Sequence, residues 1–184
     1  MRGQGQHTTD GVDREIRDLT DQQRAADAAE ARRREHWLRL QASEEGTFDG
    51  VLLDLGEREQ LLAVSTVTGR VLRGVVRTIG VDFVGLRAPS GEGALVPLRS
   101  LTTVRPEPGS RPTVGDRLVQ MDASLASVLS NLAPERPWMS VHTLGGDGFA
   151  GALQGVGQDL LVLKGPSGDE TYVPLYAIGD VMLP

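Results

Sequence analysis

Apolar and polar residues alternate in short runs along most of this chain, and turn residues separate the runs. "LLAVSTV" ends at Thr68-Gly69, and "RVLRGVVRTI" ends at Gly80. "GVDFVGLRA" follows, then "PSGEG", "ALVPL" and "RSLTTV". Period-two alternation in runs of this length predicts five short strands, with "PSGEG" as a hairpin turn. Gly74 interrupts the second run and predicts a bend there. Pro97 has no N–H to give a ladder, so it is expected at a sheet edge or at a break. Ahead of the strands, Phe48, Val51 and Leu52 are spaced as one apolar face of a short helix.

The pattern is written twice. Sliding the sequence by 77 residues aligns Gly74–Val104 with Gly151–Val181, without a gap, over 31 positions of which 11 are identical. Chance would give roughly two. The shared phrase is clearest in "APSGEGALVPL" against "GPSGDETYVPL", and the helix trio recurs as Leu125, Val128 and Leu129. Each unit thus reads as a short helix followed by a strand run. Five short bent strands after one helix suit a small closed barrel, which removes exposed strand edges.

Outside the repeat the texture changes. Residues from Asp13 to Glu45 are highly charged and Ala-rich, with Ile16, Leu19, Gln23, Ala26, Glu30, Arg33, Trp37 and Leu40 at spacings of three and four. That rhythm fits either a solvated, partly disordered charged helix or a helix that pairs with a partner. "RPEPGSRPTVGD" is rich in Pro and Gly and reads as a linker. The expected division is an N-terminal charged helix or tail over 1–45, a first unit over 46–107, a linker over 108–115 and a second unit over 116–184.

With the strand order in hand, "VTGRVLRGVVRTIGVDFVGLR" is similar to the first motif of the Sm/LSm/Hfq superfamily, and "LVPLRSLTTVRP" resembles its second motif. The phrase also looks like that of uncharacterised actinobacterial proteins built from duplicated barrels. The resemblance implies a mainly β fold with helices: two tandem Sm-like small β-barrels, each preceded by a short helix, plus the long N-terminal charged helix. It implies less about RNA. Where that superfamily holds bases with an Asn and an Arg-Gly pair, this chain has Phe83-Val84-Gly85 and Pro97-Leu98. Stacking platforms and base-edge donors are missing from the expected places.

Composition narrows the chemistry. There is no cysteine, which removes disulfides and thiol catalysis and fits a reducing cytoplasm. No N-terminal apolar segment marks a signal peptide, and no run is long enough to cross a membrane. Aromatic residues make up 4%, so Val, Leu and Ala must build the core. Three scattered His and the absence of any metal-spaced or nucleophile motif point away from an enzyme, and no catalytic, cofactor or metal site is expected. Asp82 and Asp159 each follow a Gly turn, where Asp commonly accepts from backbone N–H groups. His142, at a strand beginning with no titratable partner beside it in sequence, is expected to be a surface or hydrogen-bonded residue.

The net charge of −6 is uneven: −3 over residues 1–50, +2 over 51–112 and −5 over 113–184. Arg73 and Arg77 fall on one side of the bent strand; Arg70, Arg87, Arg99 and Arg105 lie at strand ends and turns. These six form a candidate surface for an anionic partner, RNA, DNA or acidic protein, unless the acidic second unit pairs with them. Trp37, Leu40, Tyr172 and Tyr176 are candidates for a protein interface, whereas Trp138 is expected to pack inside. The expected function is non-enzymatic binding or scaffolding through a protein partner, with a homodimer as the expected assembly. A nucleic-acid-binding regulator is the alternative.

Overall fold

A computed structural model describes residues 46–108 and 118–184. The charged helix expected over residues 1–45, with Trp37 and Leu40, lies outside the described residues, as does most of the linker. Phe48–Pro184 form one compact unit. Helix α1 (Phe48–Glu57) leads into β1 (Leu62–Thr66), β2 (Val71–Ile79), β3 (Phe83–Arg87), β4 (Gly93–Pro97) and β5 (Leu101–Pro106). After the two-residue strand β6 (Val119–Gln120) comes α2 (Leu125–Leu132). It is followed by β7 (Trp138–Thr143), β8 (Gly148–Val156), β9 (Leu160–Lys164), β10 (Glu170–Pro174) and β11 (Ile178–Leu183).

The two closed barrels do not form. All eleven strands belong to one open sheet, in the order β10-β9-β8-β7-β11-β4-β3-β2-β1-β5, with β6 added parallel to β2. Every other pairing is antiparallel. The reason is visible at β4. Instead of closing on β5 of its own unit, β4 pairs with β3 on one side and with β11 on the other. Edge removal, which closure would have achieved, is met there by the neighbouring strand set.

Ladders in the first half recur in the second with the 77-residue offset. Leu62 opposite Gly74 becomes Met139 opposite Gly151, and Val64 opposite Val104 becomes Val141 opposite Val181. The register shift between Val76 and Thr78 returns between Leu153 and Gly155. Gly74 and Gly151 account for the bend the pattern predicted. A Cβ on Gly74 would lie 2.8 Å from the Arg87 carbonyl oxygen, and one on Gly151 2.6 Å from that of Lys164. Only glycine lets the paired backbones approach so closely.

Burial follows the alternation. On β2, Leu72, Gly74 and Val76 are buried while Arg73 is exposed and Arg77 partly so. Two apolar clusters result. The first gathers Leu52, Leu55, Leu62, Val64, Val76 and Val84. The second gathers Leu125, Leu129, Met139, Val141, Leu153 and Leu161, together with Phe83 from β3. The strands at the seam trade side chains: Met182 of β11 packs on the first cluster and Leu95 of β4 on the second. Pro97 closes β4 ahead of a 3-10 turn, beyond the Gly93–Leu95 stretch that pairs with β11, so its missing N–H costs the seam nothing.

Candidate interaction surfaces

The register sets Arg73 and Arg105 on either side of Ala63, on one face of the sheet, and Arg87 opposite Val75 on that face, but the six arginines singled out in the sequence have different partners. Arg70, in the β1–β2 turn, reaches Asp180 of β11, Nε to Oδ2 at 3.0 Å. Arg99 donates to the carbonyls of Leu175, at 2.6 Å, and Ile178, at 3.4 Å. Both therefore clasp the β4–β11 seam. Arg73 pairs with Glu107 at 2.7 Å and Arg77 with Glu59 at 3.0 Å. Arg87, at the end of β3, and Arg105, on β5, are exposed and make no ion pair among the described residues. The cations thus serve two internal pairs and one seam, and two are left facing solvent.

Asp180 was the residue that sequence reasoning passed over. It is fully buried, and its second oxygen meets His142 Nδ1 at 2.9 Å. A carboxylate shielded from water needs partners on its lone pairs, and Arg70 and His142 supply them. Ser100, also fully buried, adds a hydroxyl that donates to the Gly179 carbonyl at 2.6 Å. The signal was available: a lone Asp inside the apolar run "IGDVML", where the first repeat has Thr103. His142 is satisfied, as expected, although its partner lies 38 residues away.

The recurring aspartates act on backbone. Asp82 Oδ1 accepts the N–H of Leu125, the first residue of α2, at 2.7 Å, and its carbonyl accepts from Leu98. This carboxylate therefore stands at a helix N-terminus, beside Ser124, whose hydroxyl accepts from the Ser127 N–H. The Asp159 carbonyl accepts from Leu175 in the matching place.

The aromatic candidates gather at the other end of the sheet. Tyr172, on β10, is 61% exposed, and Tyr176, in the turn after it, is 73% exposed. The Tyr172 hydroxyl donates to Glu170 Oε2 at 2.6 Å, and this bond to a carboxylate raises its pKa above the usual phenol value. Trp138 does not pack inside; it opens β7 and stands half-exposed, because the turn of 3-10 helix before it sets it at the strand's outer end. A groove of about 410 Å³ lies between Leu53, Gly56, Glu57, Glu59, Leu118 and Gln120.

Among the described residues no helix is long and apolar enough to cross a membrane. No protein-family model matches the chain, and no curated protein sequence does.

Proposed function

We propose that this chain is a non-enzymatic binding scaffold of the cytoplasm, and that its protein partners add to the two ends of the sheet. One observation supports the reading above the others. Among the described residues β5 pairs only with β1 and β10 only with β9, so each offers one side of its backbone. A strand edge of this kind is a row of unspent donors and acceptors, and proteins that leave one open use it or guard it. Strand addition draws affinity from main-chain bonds and specificity from alternate side chains. Tyr172 and Tyr176, exposed beside the β10 edge, are the residue type that favours such contacts.

The alternative, a regulator that grips RNA or DNA through the first-unit arginines, has less support. Four of the six candidate cations are bound within the chain, two of them as clasps of the seam. Arg87 and Arg105 alone are a small footprint on a chain of net charge −6.

The two readings separate in one experiment. Photo-crosslinking residues placed at Thr103 and Tyr172, on the edges, should capture protein in cell extract. The same residues at Val71 and Val81, exposed away from the edges, should capture little. Equal capture at all four positions, or tight binding of RNA or DNA at about 50 mM salt that falls steeply as salt rises, would replace the scaffold reading.

A further inference from the structure

The second strand set turns one face of the sheet to its core and leaves the other open. We propose that this open face of β7–β10 binds a proline-rich protein segment in the polyproline II conformation, held between Trp138 and Tyr172, with a basic residue of the partner beside its prolines. The inference concerns the face of the sheet and does not depend on strand addition at its ends.

Register places the residues. Trp138, Ala152, Lys164 and Glu170 lie opposite one another in a row across the four strands, and Gly155, Val162 and Tyr172 form the next row. Residues directly opposite in an antiparallel sheet share a face. The alternate positions Met139, Leu153, Leu163 and Val173 are the ones in the second core, so both rows point away from it. Trp138 is 47% exposed and Tyr172 61%. The floor between them is Ala152, Gly155 and Val162, and a Cβ on Gly155 would meet nothing within 4 Å. Two large rings thus stand at the ends of a shallow strip lined by small side chains. Three strand spacings and two residues separate them, about 16 Å.

A proline-rich chain suits this strip in length, stiffness and hydrogen bonding. A polyproline II helix rises about 3.1 Å per residue, so about five residues reach from one ring to the other. Its prolines are rigid before binding, so the rings gain contact area at little ordering cost. It brings carbonyls to be met and few N–H groups. The strip offers donors for them: the Trp138 indole N–H, which has no partner among the described residues, and the exposed Lys164 ammonium.

Charge decides against other occupants. Residues 113–184 carry net −5, which repels phosphate, so a nucleic acid stacked on the same rings is disfavoured. A sugar needs hydrogen-bond partners alongside the rings, and the side chains of the Ala, Gly and Val floor give none. The Glu170 carboxylate, 2.6 Å from the Tyr172 hydroxyl, favours a basic residue next to the partner's prolines, where an arginine also meets the Tyr172 ring. The first strand set lacks this arrangement. There Trp138, Lys164 and Tyr172 are replaced by Leu61, Arg87 and Leu95, and Leu95 packs against the second core.

The probe is a ten-proline peptide with an arginine at each end, titrated into the full-length chain carrying Trp37→Phe, which leaves Trp138 as its one indole. Trp138 fluorescence should change saturably. Tyr172→Ala should weaken binding about tenfold or more, the effect of losing an interface anchor. Gly155→Leu should weaken it as much without lowering the melting midpoint by more than a few degrees, because the new side chain enters open space on the floor. The same peptide with alanine for every proline should bind about tenfold more weakly or worse. No saturable change, equal binding of the alanine peptide, or an affinity that both variants leave untouched overturns the inference, and so does tighter binding of oligothymidylate at the same rings. Photo-crosslinking at Thr103 keeps the two readings apart. Capture there without peptide binding sinks this inference alone; peptide binding without capture there upholds it and sinks the strand-end reading.

Discussion

Asp180 has no contact with solvent, and that fact governs the seam around it. Its two oxygens are divided between Arg70, whose side chain stays 37% exposed, and His142. Removing Arg70 leaves a buried carboxylate with one partner, which is more harmful than losing a surface ion pair. Arg70→Ala is expected to destabilise the chain by about 2–3 kcal/mol, at or just below the roughly 3–5 kcal/mol of a broken fully buried pair because Arg70 is partly hydrated. Adding Asp180→Thr, which installs the residue found 77 positions earlier, removes the stranded charge. It should restore part of the loss. Chemical denaturation of the single and double variants measures both effects, and a double variant less stable than Arg70→Ala would show that the carboxylate is not the source of the cost.

At the scale of single elements, the paired glycines give a sharper contrast than the apolar positions do. Gly151→Ala drives a methyl to 2.6 Å from the Lys164 carbonyl oxygen, a backbone atom that cannot turn aside. A loss of about 1–3 kcal/mol is expected, in line with overpacking. Gly155, four residues on in the same strand, has open space where a Cβ would stand, with nothing within 4 Å, and no positive φ. Gly155→Ala should be neutral or stabilising by up to about 1 kcal/mol. Equal melting midpoints for the two variants would refute the close-approach account. The strands and their bends were legible because period-two alternation and glycine position are local properties. The pairing of β4 was not. Its run "GALVP" carries apolar residues on both faces, so nothing local says whether the next strand comes from its own unit or from the one after the linker. The fate of Arg70 was hidden for the same reason: its partner lies 110 residues away.

For the molecule as a whole, the shared seam is expected to make the two halves one cooperative body. Phe83 is supplied by the first strand set, yet it is 1% exposed within the second core. Met182 makes the reverse crossing. Each core draws side chains from the other half, so the two halves are expected to unfold together. Phe83→Ala is expected to cost about 3–5 kcal/mol, the range for emptying a buried aromatic site. The decisive reading is where that loss appears. Hydrogen exchange in mild denaturant should show the Val64 amide of β1 and the Val141 amide of β7 losing protection together in the wild type, and moving down together in the variant. Independent halves would behave otherwise: Val141 would lose protection at lower denaturant while Val64 held its place. Coincidence of the two amides means that the β4–β11 ladder binds one folding unit, and separation means that the sheet is continuous in geometry but not in energy.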